Sequence, residues 1–155
     1  MACARRNRRT YVGGRFCVGR ETIMKTAKEL VAEASTGLQT LSAEDALKLM
    51  GDPNVIFVDV REQEELQRNG KLRGAIHVPR GLLEFQVDPT SPTHKPELGG
   101  EKKLVLYCGS GGRSALGTKA LKQMGMMNVA HVAGGFPALQ KAGAPREEAT
   151  LFCTI

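Results

Sequence analysis

The chain has 155 residues, 41% of them hydrophobic and 25% charged, which is enough for one globular core and argues against a second domain. Its net charge of +6 is concentrated at one end: residues 1–23 hold six arginines and one glutamate, and the remainder carries 16 basic and 15 acidic residues. That near-neutral remainder, with its basic residues scattered, gives no reason to expect a nucleic-acid partner, and no run approaches the about 18 apolar residues of a membrane span.

From Met1 to about Glu21 the chain shows Arg5, Arg6, Arg8 and Arg9, several glycines and no apolar periodicity, which predicts a disordered basic tail over residues 1–23. The tail lacks the apolar centre of a secretory signal. Its Arg-rich, acid-poor start fits organellar targeting, but the lack of serine and of an amphipathic pattern favours a cytoplasmic protein. Met24 is an alternative start, which would make residues 1–23 an extension. A helix is expected from Met24, with Ile23, Ala27, Leu30 and Ala34 on one face, then a short strand over Leu38 to Leu41. Ser42 is the N-cap of a helix bearing Ala43, Ala46, Leu47 and Met50, ended by Asp52 and Pro53. Val55 to Val58 form the next strand with Asp59 at its end, Glu62 to Asn69 an exposed helix stopped by Gly70, and Ala75 to Val78 a strand closed by Pro79. Leu82 to Gln86 make about one helical turn, and Asp88 to Gly100 a loop.

Leu104 to Tyr107 then read as a strand buried on both faces, followed by Cys108-Gly109-Ser110-Gly111-Gly112-Arg113-Ser114 and a helix with Leu116, Ala120, Leu121 and Met124 on one face. Val129 to Val132 form the last strand, and Pro137 to Ala142 the last helix, ended by Gly143. Strands alternating with helices predict an α/β fold: one domain over residues 24–143, a central parallel sheet flanked by helices on both faces, and a C-terminal tail over 144–155.

The arrangement puts the Cys108 thiol at the carboxyl edge of the sheet, where ligands gather in open parallel sheets. Three glycines allow successive backbone N–H groups to converge on the sulfur, and those amides, the helix start and Arg113 all favour the thiolate. An unperturbed thiol has a pKa of about 8.5, whereas cysteines so placed fall to roughly 3.5–7.5, so Cys108 is expected to be a nucleophile near neutral pH. The Gly-Lys-Ser/Thr ending of a nucleotide-binding loop is absent. Cys3 and Cys17 lie in the tail and Cys153 near the end, no Cys-x-x-Cys pair occurs, and His77, His94 and His131 lack ligand spacing, so neither disulfides nor a metal are expected. His77 and His131 read as structural residues.

At these residues the chain resembles the rhodanese family of sulfurtransferases, whose active loop carries a cysteine, four intervening residues, then Arg and Ser or Thr. The segments Val58-Asp59-Val60-Arg61-Glu62, Gly74-Ala75-Ile76-His77-Val78-Pro79 and Val132-Ala133-Gly134-Gly135-Phe136 resemble the same family, in its order, and the likeness covers about Leu38 to Gly143. Many relatives carry a tryptophan shortly after the paired glycines; this chain has Leu139 there.

The resemblance implies a rhodanese-like domain in which Cys108 carries a persulfide, Gly109, Ser110, Gly111 and Gly112 cradle an anion, and Arg113 and Ser114 close the loop. Asp59 and Arg61 leave the second strand at the same edge. The resemblance makes Asp59, with Arg61, loop-supporting, whereas local reading makes Asp59 a helix cap and pairs Arg61 with Glu62 or Glu65.

The implied activity is thiosulfate sulfurtransfer. The partners are a small anionic sulfur donor and a thiol, cyanide or sulfur-accepting protein as acceptor, and no cofactor is needed. The alternatives are a persulfide carrier or regulatory interaction module and, further off, a cysteine phosphatase or arsenate reductase; the resembling phosphatases place one more residue between Cys and Arg.

Overall fold

The computed structural model describes residues 11–12, 15–17 and 23–149. Strands β1 (Tyr11–Val12), β2 (Arg15–Cys17) and β3 (Ile23–Met24) form an antiparallel sheet in that order, with Val12 paired to Arg15. Two glycines between apolar runs are a hairpin signal, so this part of the expected disordered tail instead carries strands. The rest of that expectation, with Cys3, and the 150–155 segment with Cys153 lie outside the described residues.

Met24 ends a strand and does not start a helix. Helix α1 (Ala27–Ser35) starts after Thr26, whose hydroxyl accepts from the Glu29 amide at 3.2 Å while the Glu29 carboxylate accepts from the Thr26 amide at 2.8 Å. This capping box satisfies two free donors and fixes the boundary.

There follow β4 (Gln39–Leu41), α2 (Ala43–Lys48) with Ser42 as its N-cap, β5 (Val55–Asp59), α3 (Gln63–Asn69), β6 (Lys71–Leu72) and β7 (Ile76–His77). A 3-10 turn at Arg80–Leu82 leads into α4 (Leu83–Val87), and another at Pro96–Leu98 anchors the expected loop by burying Leu98. The chain continues through β8 (Lys103–Tyr107), α5 (Gly112–Gln123), β9 (Val129–Val132), α6 (Gly135–Lys141) and β10 (Arg146–Glu147).

The five-stranded parallel sheet has the order β4-β9-β8-β5-β7, so the strand bearing Cys108 is central. One face packs Phe57, Val105, Tyr107 and Val132 against Ala43 and Ala46 of α2 and Phe136 and Leu139 of α6. The other packs Val58, Leu104, Leu106 and Cys108 against Leu83 and Val87 of α4 and Leu121 of α5. The period-two alternation along β5 and β8 thus divides two apolar cores, as the predicted α/β class requires.

Three further features differ from the sequence reading. The expected C-terminal tail contributes β10, which pairs antiparallel with β6 (Arg146 with Leu72, Glu147 with Lys71), and an ion pair of 2.6 Å joins Lys71 to Glu147. The folded unit therefore runs past Gly143. Helix α6 begins at Gly135, ahead of Pro137, because Gly134 adopts a left-handed conformation and turns the chain early. On α5 the buried face is Ser114, Ala115, Gly117, Thr118 and Leu121, and Met124 is exposed. Small residues let α5 approach closely: a Cβ on Gly117 would lie 2.9 Å from Leu83 Cδ2. Among the described residues no helix is long and apolar enough to cross a membrane.

Candidate active site

Strand β8 ends at Tyr107, and the loop between it and α5 folds over the Cys108 sulfur. Cys108 is a free thiol with no exposed surface. The Gly111 amide donates to its Sγ at 3.1 Å, and the thiol faces Ser114 Oγ at 3.6 Å. Gly111 has φ +101°, a left-handed turn that a side chain rarely adopts, and this bend aims its N–H inward. Burial is the largest influence on the thiol and pushes its pKa up. The amides of Ser114, Ser110 and Gly111 with the Ser114 hydroxyl outweigh it, leaving the pKa below the ordinary thiol value. Ionised sulfur is therefore held at pH values where an ordinary thiol is protonated, and is lost as pH falls through the lowered pKa.

The paired glycines of the last motif brace this loop from behind. The Phe136 amide donates to the Cys108 carbonyl at 2.7 Å, and a Cβ on Gly135, at φ +63°, would lie 2.2 Å from that carbonyl oxygen. Only glycine fits there. On the other side the Val60 amide donates to the Tyr107 carbonyl at 3.0 Å, so the Cys108 main chain is held both from the end of β5 and from α6.

Arg113 stands at the loop's rim, and its charge is already answered. Its Nη1 and Nη2 donate to Glu65 Oε2 and Oε1 at 2.6 and 2.8 Å, a bidentate pair lying against Gly109. The Arg113 guanidinium, ahead of all other influences, drops the Glu65 carboxyl to about 2 from an ordinary 4.5. The pair is thus fully formed above pH 4.5 and is lost only as pH falls toward 2. Sequence reading missed Glu65 as a site residue. Its one local signal was its place three residues beyond the α3 N-cap, Glu62, whose amide it also accepts at 3.0 Å.

Asp59 and Arg61 are not brought to the loop. Arg61 is 2% exposed and turns back onto fully buried Asp59: Nε lies 2.9 Å from Oδ1, and Nη2 lies 2.6 Å from Oδ2 and 2.8 Å from the Gly70 carbonyl. Its guanidinium carbon sits 4.1 Å from the centroid of the Phe136 ring. The expected partners Glu62 and Glu65 are replaced by Asp59, and Glu62 itself caps α3 in place of Asp59. The pair reaches the loop through Phe136 and through Tyr107, the residue before Cys108. Burial and then Asp59 push the Tyr107 hydroxyl's pKa up, and that oxygen accepts from the Leu72 amide at 3.1 Å.

His77 bonds the Arg61 carbonyl at 2.8 Å, a structural role. His131 stands directly behind the loop, with Nδ1 3.5 Å from Ser114 Oγ and Nε2 3.0 Å from Thr40 Oγ1. Among the described residues no group of three or more His, Cys, Asp or Glu side chains gathers as a metal site would need.

Comparison with known proteins bears on this arrangement. The family model of the Rhodanese-like domain matches residues 42–142. A curated tRNA uridine(34) hydroxylase of Hamiltonella defensa is 34% identical over 121 residues, covering 72% of this chain and 33% of that protein; one of Sodalis glossinidius is 31% identical over 108 residues, covering 70% and 29%. The chain spans about a third of the length of these relatives. Among solved structures, a Rhodopseudomonas palustris protein of unknown function, described as a possible tyrosine phosphatase, is 42% identical with a TM-score of 0.77, covering 83% of this chain and 98% of that one. The polysulfide-sulfur transferase homodimer of Wolinella succinogenes is 27% identical with a TM-score of 0.63, covering 81% and 90%.

Proposed function

Because the chain belongs to the rhodanese-like domain family, we propose that it moves a sulfane sulfur from thiosulfate or a similar donor to a thiophilic acceptor through a persulfide on Cys108. The observation that carries this reading is the buried free thiol on which the Ser110, Gly111 and Ser114 amides converge. The thiolate attacks the outer sulfur of thiosulfate; a sulfur–sulfur bond forms at Cys108 as the donor's own bond breaks, and sulfite leaves with the electron pair. The acceptor, cyanide or a thiol, then takes the outer sulfur and the thiolate is regenerated, which gives ping-pong kinetics. The loop amides are already oriented toward the charge and need little reorganisation, the condition under which such donors are worth most.

The phosphatase description of the Rhodopseudomonas relative meets a geometric objection here: Cys108 and Arg113 enclose four residues, a ring suited to one sulfur atom more than to a tetrahedral phosphoryl group. Hydroxylation of tRNA is named for proteins of which this chain matches a third, and is not carried over. The carrier reading draws support from the Glu65–Arg113 pair: a rim cation neutralised in advance attracts a dianionic donor less than a free one, and favours sulfur delivered by a partner protein.

Incubation of the chain with thiosulfate should add one sulfur atom to Cys108 by intact mass, and cyanide should then release thiocyanate steadily. Loading without turnover would favour the carrier, and no loading from thiosulfate or from a persulfide donor would overturn both. Glu65→Gln, which frees the guanidinium, should lower KM for thiosulfate by about tenfold, near 1.4 kcal/mol, with little change for an uncharged donor. Arg113→Ala should raise KM for thiosulfate. Equal effects of either change on charged and uncharged donors would assign the pair to loop shape.

A further inference from the structure

Cys108 has no exposed surface, so its proton does not pass directly to bulk solvent. The groups behind the sulfur form a continuous file: Cys108 Sγ to Ser114 Oγ at 3.6 Å, Ser114 Oγ to His131 Nδ1 at 3.5 Å, and His131 Nε2 to Thr40 Oγ1 at 3.0 Å. The file crosses the sheet from central β8 over β9 to β4, where Thr40 is exposed at the edge, and the parallel register that pairs His131 with Thr40 and with Leu106 sets the ring in it. We propose that His131, with Ser114 and Thr40, is the route by which Cys108 loses and regains its proton, and that the imidazole positions the Ser114 hydroxyl onto the thiolate. This rests on Cys108 being the nucleophile of the proposed function.

The proton balance closes without a charged histidine. In the thiol state the S–H donates to Ser114 Oγ, the Ser114 hydroxyl is free to donate to Nδ1, and the ring proton sits on Nε2 and donates to Thr40 Oγ1. On ionisation the S–H bond breaks and its proton passes to Ser114. The serine's own proton passes to Nδ1, the Nε2 proton to Thr40, and the threonine's proton to solvent. Every bond in the file is then reversed: Thr40 donates to Nε2, Nδ1–H donates to Ser114, and Ser114 donates to the sulfur anion. One proton has left the interior and the ring, now the other tautomer, is neutral at both ends of the process.

The surroundings fit a neutral ring. From β4 it meets the Thr40 hydroxyl, from β8 the apolar Leu106 and from α5 the Ser114 hydroxyl, and among the described residues no charged group contributes to its titration; burial alone lowers its pKa. The Ser114 hydroxyl is also free to turn. In the structure it donates to the Gly111 carbonyl at 3.0 Å, but that carbonyl keeps the Ala115 amide at 3.0 Å when the hydroxyl leaves it.

The test uses the full chain. Cys108 alkylation by iodoacetamide, followed across pH by mass, gives the midpoint of thiolate formation. In His131→Leu the midpoint should rise by about one pH unit, an about tenfold loss of reactivity on the acidic side that vanishes at high pH. Thr40→Val should slow the regain and loss of the proton and produce a smaller shift. An unchanged midpoint in His131→Leu overturns the proposal, as does an equal loss at every pH, which would mark a packing role only.

Wild-type protein supplies the second measurement, independent of how the variants fold. The ¹⁵N shifts of His131 should pass from the Nε2–H to the Nδ1–H tautomer as Cys108 ionises, and should show no such step in Cys108→Ser. A single tautomer throughout overturns the proposal. Neither readout needs sulfur transfer: absence of persulfide formation would refute the proposed function, an unmoved midpoint would refute the positioning of Ser114 by His131, and a fixed tautomer would refute the proton route.

Discussion

Cys108→Ser should abolish sulfur transfer, by about 10⁴-fold or more, while leaving the fold intact. The substitution replaces a thiol that the loop ionises with a hydroxyl whose proton the same three amides are far too weak to remove at neutral pH. The pocket still closes, because serine is slightly smaller than cysteine and accepts from the same Gly111 N–H. What disappears is the low-pKa, polarisable atom that attacks divalent sulfur and leaves again. Intact mass after thiosulfate treatment checks the loss directly, and the thermal midpoint checks the fold. A variant that still gains one sulfur atom and releases thiocyanate at the wild-type rate would place the persulfide elsewhere.

Arg61→Ala should cost about 3–5 kcal/mol of unfolding free energy, measured by urea denaturation. The change leaves the Asp59 carboxylate fully buried without its cation, strips the donor from the Gly70 carbonyl and removes the group stacked on Phe136. Arg61→Lys should recover only part of this, since an ammonium cannot make the forked contact to both Asp59 oxygens. The size of the effect separates the two readings of this residue. An exposed pair with Glu62 or Glu65, as the sequence suggested, would be worth at most about 1 kcal/mol. A loss below that would show the buried pair to be energetically idle.

Where chemistry is written locally, the sequence was readable. The apolar run before Cys108 and the glycines after it place thiol, turn and helix in one stretch, and the alternation along the chain is enough for the class of sheet. The Rhodanese-like match over residues 42–142 agrees with the family read from four short motifs. The errors fall where the deciding contact is distant or the element too short to have a period. Arg113 and Glu65 are 48 positions apart, and nothing beside either names the other. Thr40 and His131 meet only because β4 and β9 are neighbours in the sheet, 91 positions apart along the chain. Lys71–Leu72 and Arg146–Glu147 hold two residues each, with no alternation to detect, so the C-terminal segment carries no sequence signal that joins it to the domain. Arg61 differs for another reason: Glu62 and Glu65 are its near neighbours in sequence, but the side chain turns inward to the strand it has just left.

The grip on the Cys108 carbonyl has a consequence for how the pocket discriminates. With the peptide on each side of Cys108 clamped, its sulfur is re-aimed almost entirely by rotation about one side-chain bond, and the backbone behaves as the fixed jaw of a vice. A newcomer is therefore gauged by its own trajectory: whatever cannot bring its sulfur in along that single arc is refused before any bond is exchanged.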